Sequence, residues 1–168
     1  MTWHVLSVLN PDDKLAASSG VLSLGVINFW LADDDAELRQ VMAQTLHLTP
    51  GLKLTRDFAS AEDLLQALKS ESAPHVVVLD LKMGGLSGVD AIAPIKQLAP
   101  QTQIIIFTTF HDGAARRKAL AAGAADFVLK RNGVGSVVGT IKKLFQVDLP
   151  QLPPPGHGFI AALPPANP

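Results

Sequence analysis

From residue 27 to residue 146, short apolar runs alternate with longer amphipathic segments, and this rhythm limits the possible folds more than any other feature. Strand and helix in strict succession give a parallel sheet, because each parallel pair needs a crossover that packs back onto the sheet. "INFWLA" (27 to 32) reads as a buried strand, and the segment from Ala36 to His47 puts Leu38, Val41, Met42 and Leu46 on one helical stripe. Pro50 and Gly51 break that helix, after which "LKLTRDF" (52 to 58) alternates like an edge strand. Ser60 with Asp63 forms a capping-box pattern for a helix carrying Leu64, Leu65 and Leu68. "HVVVLD" (75 to 80) is β-branched and apolar up to its last residue, as suits a central parallel strand.

The second half repeats the pattern. A Gly-rich loop, "KMGGLSG" (82 to 88), leads to a helix from about Val89 to Leu98, in which Pro94 predicts a kink or a displaced start. "QIIIFTT" (103 to 109) predicts a fourth strand, "AARRKALAAG" (114 to 123) a helix stopped by Gly123, and "DFVLK" (126 to 130) a last strand. Residues 136 to 145 close the pattern as a helix with Val137, Val138, Ile141 and Leu144 inward, weakened by Gly135 and Gly139. Five strands alternating with five helices make an α/β doubly wound sheet.

The two ends differ from this middle. Prolines crowd residues 149 to 168, so the segment from 147 to 168 is expected to be an extended, disordered tail. Residues 1 to 25 form an N-terminal extension with no clear period, although "WHVLSVL" (3 to 9) is compatible with a stray strand. Val26 immediately precedes the first core strand and is a candidate native start. The domain itself is expected over residues 26 to 146. At 168 residues, with 48% hydrophobic and 17% charged, the chain has the material for one well-filled core. A net charge of −1 gives no sign of direct nucleic-acid binding. The absence of cysteine excludes disulfides and suits a reducing cytoplasm, and no apolar run is long enough to span a bilayer.

In open parallel sheets, ligands bind outside the carboxyl ends of the strands. The first strand ends in Asp33, Asp34 and Asp35, the third in Asp80, the fourth in Thr108 and Thr109, and the fifth in Lys130. Clustered carboxylates repel one another unless a cation offsets them, and a hard divalent ion such as Mg²⁺ takes oxygen ligands of this kind. A carboxylate beside such an ion can attack phosphorus, a lysine can pair with the added phosphoryl charge, and a hydroxyl can donate to it. Asp80, Lys130 and Thr108 fit those roles. Asp35 fits better as the N-cap of the helix that begins at Ala36, and Thr109 as a residue favouring strand geometry.

With these residues assembled, the chain resembles the receiver domain of two-component response regulators over residues 26 to 146. The motifs that carry the resemblance are "LADDD" (31 to 35), "VVVLDLKMGGLSG" (76 to 88), "IIIFTT" (104 to 109) and "AAGAADFVLK" (121 to 130). The wording of the last two looks most like the NarL/FixJ-type subgroup. The resemblance implies a flavodoxin-like (βα)5 fold of strand order 2-1-3-4-5. It implies that Asp80 is the phosphoacceptor, served by a histidine kinase or phosphotransfer protein, with Mg²⁺ held by Asp33, Asp34, Asp80 and the backbone carbonyl of Lys82. It assigns Lys130 to the phosphoryl group, and Thr108 and Phe127 to the switch that reports phosphorylation. It further implies a phosphorelay component with only self-phosphorylation and dephosphorylation chemistry, able to form a homodimer through the fourth helix, fifth strand and fifth helix.

The sequence departs from that family in three places. Gly84, followed by Gly85, stands where receivers usually have proline after the loop methionine, and this should loosen the loop presenting the Lys82 carbonyl. Arg131 replaces a proline commonly found after the lysine. No helix-turn-helix output module follows the receiver-like segment, which leaves open a truncated transcription regulator or a phosphorylation-independent interaction module. A haloacid-dehalogenase-type phosphatase fits poorly, since position 82 is Lys and the acidic trio comes first. His111, beside Asp112 in a loop near the site, reads as a solvated histidine, and His47, His75 and His4 lack metal-ligand spacing. Arg116, Arg117 and Lys118 read as a solvated helix face, and "GGLSG" (84 to 88) is no nucleophile elbow.

Overall fold

Runs of Ile, Val, Leu and Phe that alternate in side across a pleat need cover on both faces, and five helices supply it. The computed structural model describes residues 25–146. In chain order the elements are β1 (Ile27–Ala32), α1 (Ala36–His47), β2 (Leu52–Phe58), α2 (Ala61–Leu68) and β3 (Val76–Leu79). They continue with α3 (Gly88–Leu98), β4 (Gln103–Thr108), α4 (Gly113–Ala121), β5 (Asp126–Leu129) and α5 (Val134–Phe145). A 3₁₀ turn, Lys130–Asn132, joins β5 to α5. The strands form one parallel sheet in the order β2-β1-β3-β4-β5, the flavodoxin-like (βα)5 arrangement.

The side-chain alternation of the strands divides the core in two. Phe29, Leu31, Val76, Val78, Ile105 and Phe107 point to one face, where Met42 and Leu46 of α1 and Val137, Val138 and Ile141 of α5 cover them. Trp30, Val77, Leu79, Ile104, Ile106 and Phe127 point to the other, against α2, α3 and α4. Each such large apolar side chain contributes about 1.5–3 kcal/mol on burial, so the sheet is held from both sides along its length. β1, β3 and β5 end where their apolar residues end, and Asp33, Asp80 and Lys130 follow at once, while β4 ends on Thr108 itself.

Local signals set the helix starts. Asp35, Ser60, Ser87 and Asp112 are the N-caps of α1 to α4, each accepting a backbone N–H from the first turn, and each such cap is worth about 1 kcal/mol. Gly123, one residue past the α4 C-cap, has φ +110°, the left-handed geometry that glycine adopts without strain. The helix α3 starts at Gly88 and runs through Pro94, so the proline does not displace the start. The helix α5 begins at Val134, two residues earlier than the periodicity predicts.

Three expectations are corrected. Val41 is 48% exposed, because Leu38, Met42 and Leu46 define the inward stripe and Val41 lies about 100° around the helix from its centre. Thr109 is exposed and lies beyond the end of β4, so strand geometry does not account for it. Lys130 belongs to the 3₁₀ turn and not to the last strand. The segments 1–24 and 147–168, with the possible strand at 3 to 9, His4 and the proline-rich tail, lie outside the described residues. Among the described residues no helix is long and apolar enough to cross a membrane.

Candidate functional site

Parallel strands bring their carboxyl ends to one edge, so the polar residues after β1, β3, β4 and β5 meet there. β1 and β3 are adjacent, and the Asp80 N–H donates to the Ala32 carbonyl at 2.9 Å, which fixes Asp80 beside the residue before Asp33. The Asp33 N–H donates to the Phe58 carbonyl at 3.1 Å and ties the same corner to β2. Carboxylate oxygens of Asp33, Asp34 and Asp80 all come within 4.8 Å of one another. Asp33 and Asp80 are buried and Asp34 is exposed.

Lys130 reaches this group from the end of β5. Its Nζ lies 2.6 Å from Asp33 Oδ2 and 3.3 Å from Asp80 Oδ2. The other oxygen of each carboxylate accepts a local backbone N–H: Asp33 Oδ1 from Asp35 at 3.0 Å, and Asp80 Oδ1 from Leu81 at 2.8 Å. Burial pushes the Asp33 carboxyl above its ordinary pKa of 3.8, and the Asp80 charge adds to that effect; Lys130 and the Asp35 N–H pull the other way and do not cancel it. Burial also opposes the Lys130 charge. Its hydrogen bond to Asp33 and the charge of Asp80 outweigh that, and hold the ammonium above its usual range.

Three carboxylates against one ammonium leave the cluster acidic. All-oxygen donors at this spacing, two of them buried, match the chemistry of a hard divalent cation and not that of a soft one. Arg39 does not neutralise these side chains: its Nη1 donates to the Asp33 carbonyl at 2.6 Å, and its Nε pairs with Asp57 at 3.3 Å. Arg39 thus steadies the backbone under the acidic corner from α1, a role that spacing alone did not reveal.

The remaining candidates fall around this centre. Thr108 ends β4 between β3 and β5, is fully buried, and its Oγ1 accepts the Phe110 N–H at 3.3 Å. Phe127 is 9% exposed and sits in the core cluster on the α2–α4 face, paired in register with Ile106. The Lys82 side chain is exposed, with Nζ 3.9 Å from the centre of the Phe110 ring, so the β3–α3 and β4–α4 loops touch through a cation–π contact. Asp35 is the cap that the sequence implies: its Oδ1 accepts from the Leu38 N–H at 3.0 Å. Ser87 likewise caps α3, accepting the Asp90 N–H at 3.2 Å. His111, Arg116 and Arg117 are exposed, and Lys118 pairs with Asp90 at 3.3 Å, as befits a solvated face.

Gly88 is a residue that sequence reasoning passed over. A Cβ at this position would run into the backbone carbonyl of Asp80, so only glycine lets α3 start this close to the acidic strand end. Its N–H also donates to the Leu81 carbonyl at 3.0 Å, closing the β3–α3 loop.

Comparison with known proteins agrees with this geometry. Residues 29–142 match the family model of the response regulator receiver domain. The transcriptional regulator NtrC of Proteus hauseri is 32% identical over 116 residues, covering 69% of this chain and 24% of the relative. The chain therefore spans about a quarter of the length of that relative. A LuxR-family DNA-binding response regulator from Staphylococcus aureus superposes with a TM-score of 0.67 at 28% identity, covering 71% of this chain and 99% of that one. The BeF₃-activated DrrB receiver domain superposes with a TM-score of 0.61, also at 28% identity, covering 72% and 98%.

Proposed function

The chain belongs to the response regulator receiver family, and from that premise we propose that Asp80 accepts a phosphoryl group from a histidine kinase or phosphotransfer protein and so alters what the domain binds. One observation carries this reading: the carboxylates of Asp33, Asp34 and Asp80 converge within 4.8 Å beside the Lys130 ammonium. A carboxylate oxygen of Asp80 attacks phosphorus; an O–P bond forms while the donor's P–N bond breaks, and its electron pair stays on the imidazole nitrogen. Asp33, Asp34, Asp80 and the Lys82 carbonyl are the proposed ligands of Mg²⁺. The ion, when bound, offsets the carboxylate charge and so admits an anionic donor.

The chain's own groups supply the remainder. Lys130, 3.3 Å from Asp80, pairs as a point charge with the oxygens of the new phosphoryl group. The Thr108 hydroxyl accepts the Phe110 N–H, and turns to donate to the phosphoryl group once it arrives. The rotamer of Phe127, which is already buried in the core, follows Thr108 in this reading, and the equilibrium between two arrangements of β4, α4 and β5 shifts. The face formed by α4, β5 and α5 is the proposed surface for homodimer formation and readout, within a receiver domain spanning residues 26–146.

The test uses beryllofluoride as the phosphoryl mimic. With Mg²⁺, ¹⁹F NMR of the full chain should show protein-bound resonances, and Asp80→Asn should remove them. Absence of any bound resonance in the wild-type chain would reject the reading.

A further inference from the structure

The loop joining β3 to α3 carries Lys82, whose carbonyl the proposed metal site uses, yet its middle is Gly84-Gly85, the pair with the greatest backbone freedom. Gly85 stands at φ +94°, and the space where a Gly84 Cβ would sit is open. The Lys82 side chain is engaged outward on the Phe110 ring, which leaves its backbone to be oriented by something else. The loop is closed at its base by the Gly88 N–H on the Leu81 carbonyl, and Met83 is buried beside Lys82, so Gly84-Gly85 leave only the stretch between them unfixed. A contact from another element holds that stretch. Glu62, in the first turn of α2, accepts the Leu86 N–H through Oε1 at 2.7 Å, across 24 residues of sequence. The same oxygen lies against Gly85, where a Cβ would have to stand.

We infer that Glu62 is a positioning residue: its carboxylate anchors the Gly84–Ser87 stretch and thereby sets where the Lys82 carbonyl is presented to a divalent ion on Asp33, Asp34 and Asp80. The inference rests on the reading of that cluster as the metal site. Glu62 is suited to the task because it lies in the first turn of α2, where the peptide dipoles favour an acidic side chain, and its side-chain oxygen reaches the loop N–H. The α2 cap does not need it, since Ser60 already accepts the Asp63 N–H at 3.2 Å. A proline after Met83 would have stiffened the loop from within; here the restraint comes across the gap from a neighbouring helix.

The test compares the full chain with Glu62→Ala, Glu62→Asp and Glu62→Gln by calorimetric Mg²⁺ titration and by hydrogen exchange of the Leu86 amide in the metal-free protein. Glu62→Ala should weaken Mg²⁺ binding about three- to tenfold, below the loss seen for groups bonded directly to a ligand. It should also speed Leu86 exchange about tenfold. Glu62→Asp, one methylene short, should behave like Ala. Glu62→Gln keeps an oxygen at the same reach and should restore both quantities. Unchanged Mg²⁺ affinity in Glu62→Ala, beside a wild type that binds Mg²⁺, overturns the inference. So does a Gln variant that fails to restore. A wild type that binds no Mg²⁺ overturns the reading of the acidic cluster and this inference with it, while protected Leu86 exchange still marks the anchor as present.

Discussion

At the amino end of the sheet, the Thr102 hydroxyl donates to the Pro74 carbonyl at 2.7 Å, Lys96 donates to the Thr102 carbonyl at 2.8 Å, and His75 Nδ1 accepts the Asn28 N–H at 2.9 Å. At the carboxyl end, Lys130 lies 2.6 Å from Asp33 and 3.3 Å from Asp80, with Asp34 beside them. The same strands connect the two ends, and the same apolar rows run between them. At the amino end, side chains meet backbone groups that need partners. At the carboxyl end, charges of one sign meet in excess, and folding alone gives no reason to gather them. The contacts at the amino end serve stability, whereas the carboxyl end gathers an acidic cluster typical of the Mg²⁺-binding pocket of receiver domains.

Substitutions at the two ends should therefore fail in different ways. The largest effect is expected from Gly88→Ala, whose Cβ would collide with the Asp80 carbonyl. It should cost about 3 kcal/mol in denaturant unfolding, and the displaced Asp80 should take up phosphoryl groups poorly. Thr102→Val leaves the buried Pro74 carbonyl without its donor and should cost about 1–2 kcal/mol. Its Mg²⁺ affinity should equal that of the wild type, because nothing at the carboxyl end has changed. A matching loss of Mg²⁺ affinity there would break the separation between the two ends.

Asp33→Asn should act with the opposite sign. Asparagine has a single oxygen and keeps only one of the two contacts, to Lys130 or to the Asp35 N–H, but it removes a charge that burial and the neighbouring Asp80 both disfavour. In EDTA the variant should melt higher than the wild type, while its Mg²⁺ binding falls about tenfold or more. The pH dependence sharpens this comparison, as the smallest effect of the set. The folded pKa of Asp33 is raised above 3.8, so above that raised value the charged form subtracts from stability. As pH falls through the raised value toward 3.8, the folded state takes up a proton that the unfolded state does not, and the penalty disappears. The advantage of Asp33→Asn over metal-free wild type should accordingly shrink across that interval, and thermal melts at stepped pH measure it.

Much of this was legible from residue order. β-Branched runs such as "VVVLD" can serve little except a central parallel strand, and Asp33, Asp34, Asp80, Thr108 and Lys130 each follow such a run. Once the strand order is fixed, those positions share one edge. What stayed hidden depends on contacts between elements distant in sequence. Glu62 reads as an ordinary first-turn acid until α2 is docked against the β3–α3 loop, and Arg39 as an ordinary helix cation until it reaches Asp33 and Asp57. Gly88 looks like one more loop glycine, and its necessity lies in a close approach to Asp80. Val41 was misplaced because four apolar residues suggest a wider stripe than α1 buries. Local pattern fixes which face an element turns inward; docking fixes which side chains then touch.

The most direct measurement is intact-mass and peptide-mapped mass spectrometry of the full chain after incubation with Mg²⁺ and a small phosphodonor such as acetyl phosphate. The account predicts a single phosphoryl adduct on the peptide containing Asp80, lost in Asp80→Asn and lost when EDTA removes the ion. An adduct that persists undiminished in Asp80→Asn, or no adduct on the wild-type chain, would contradict it.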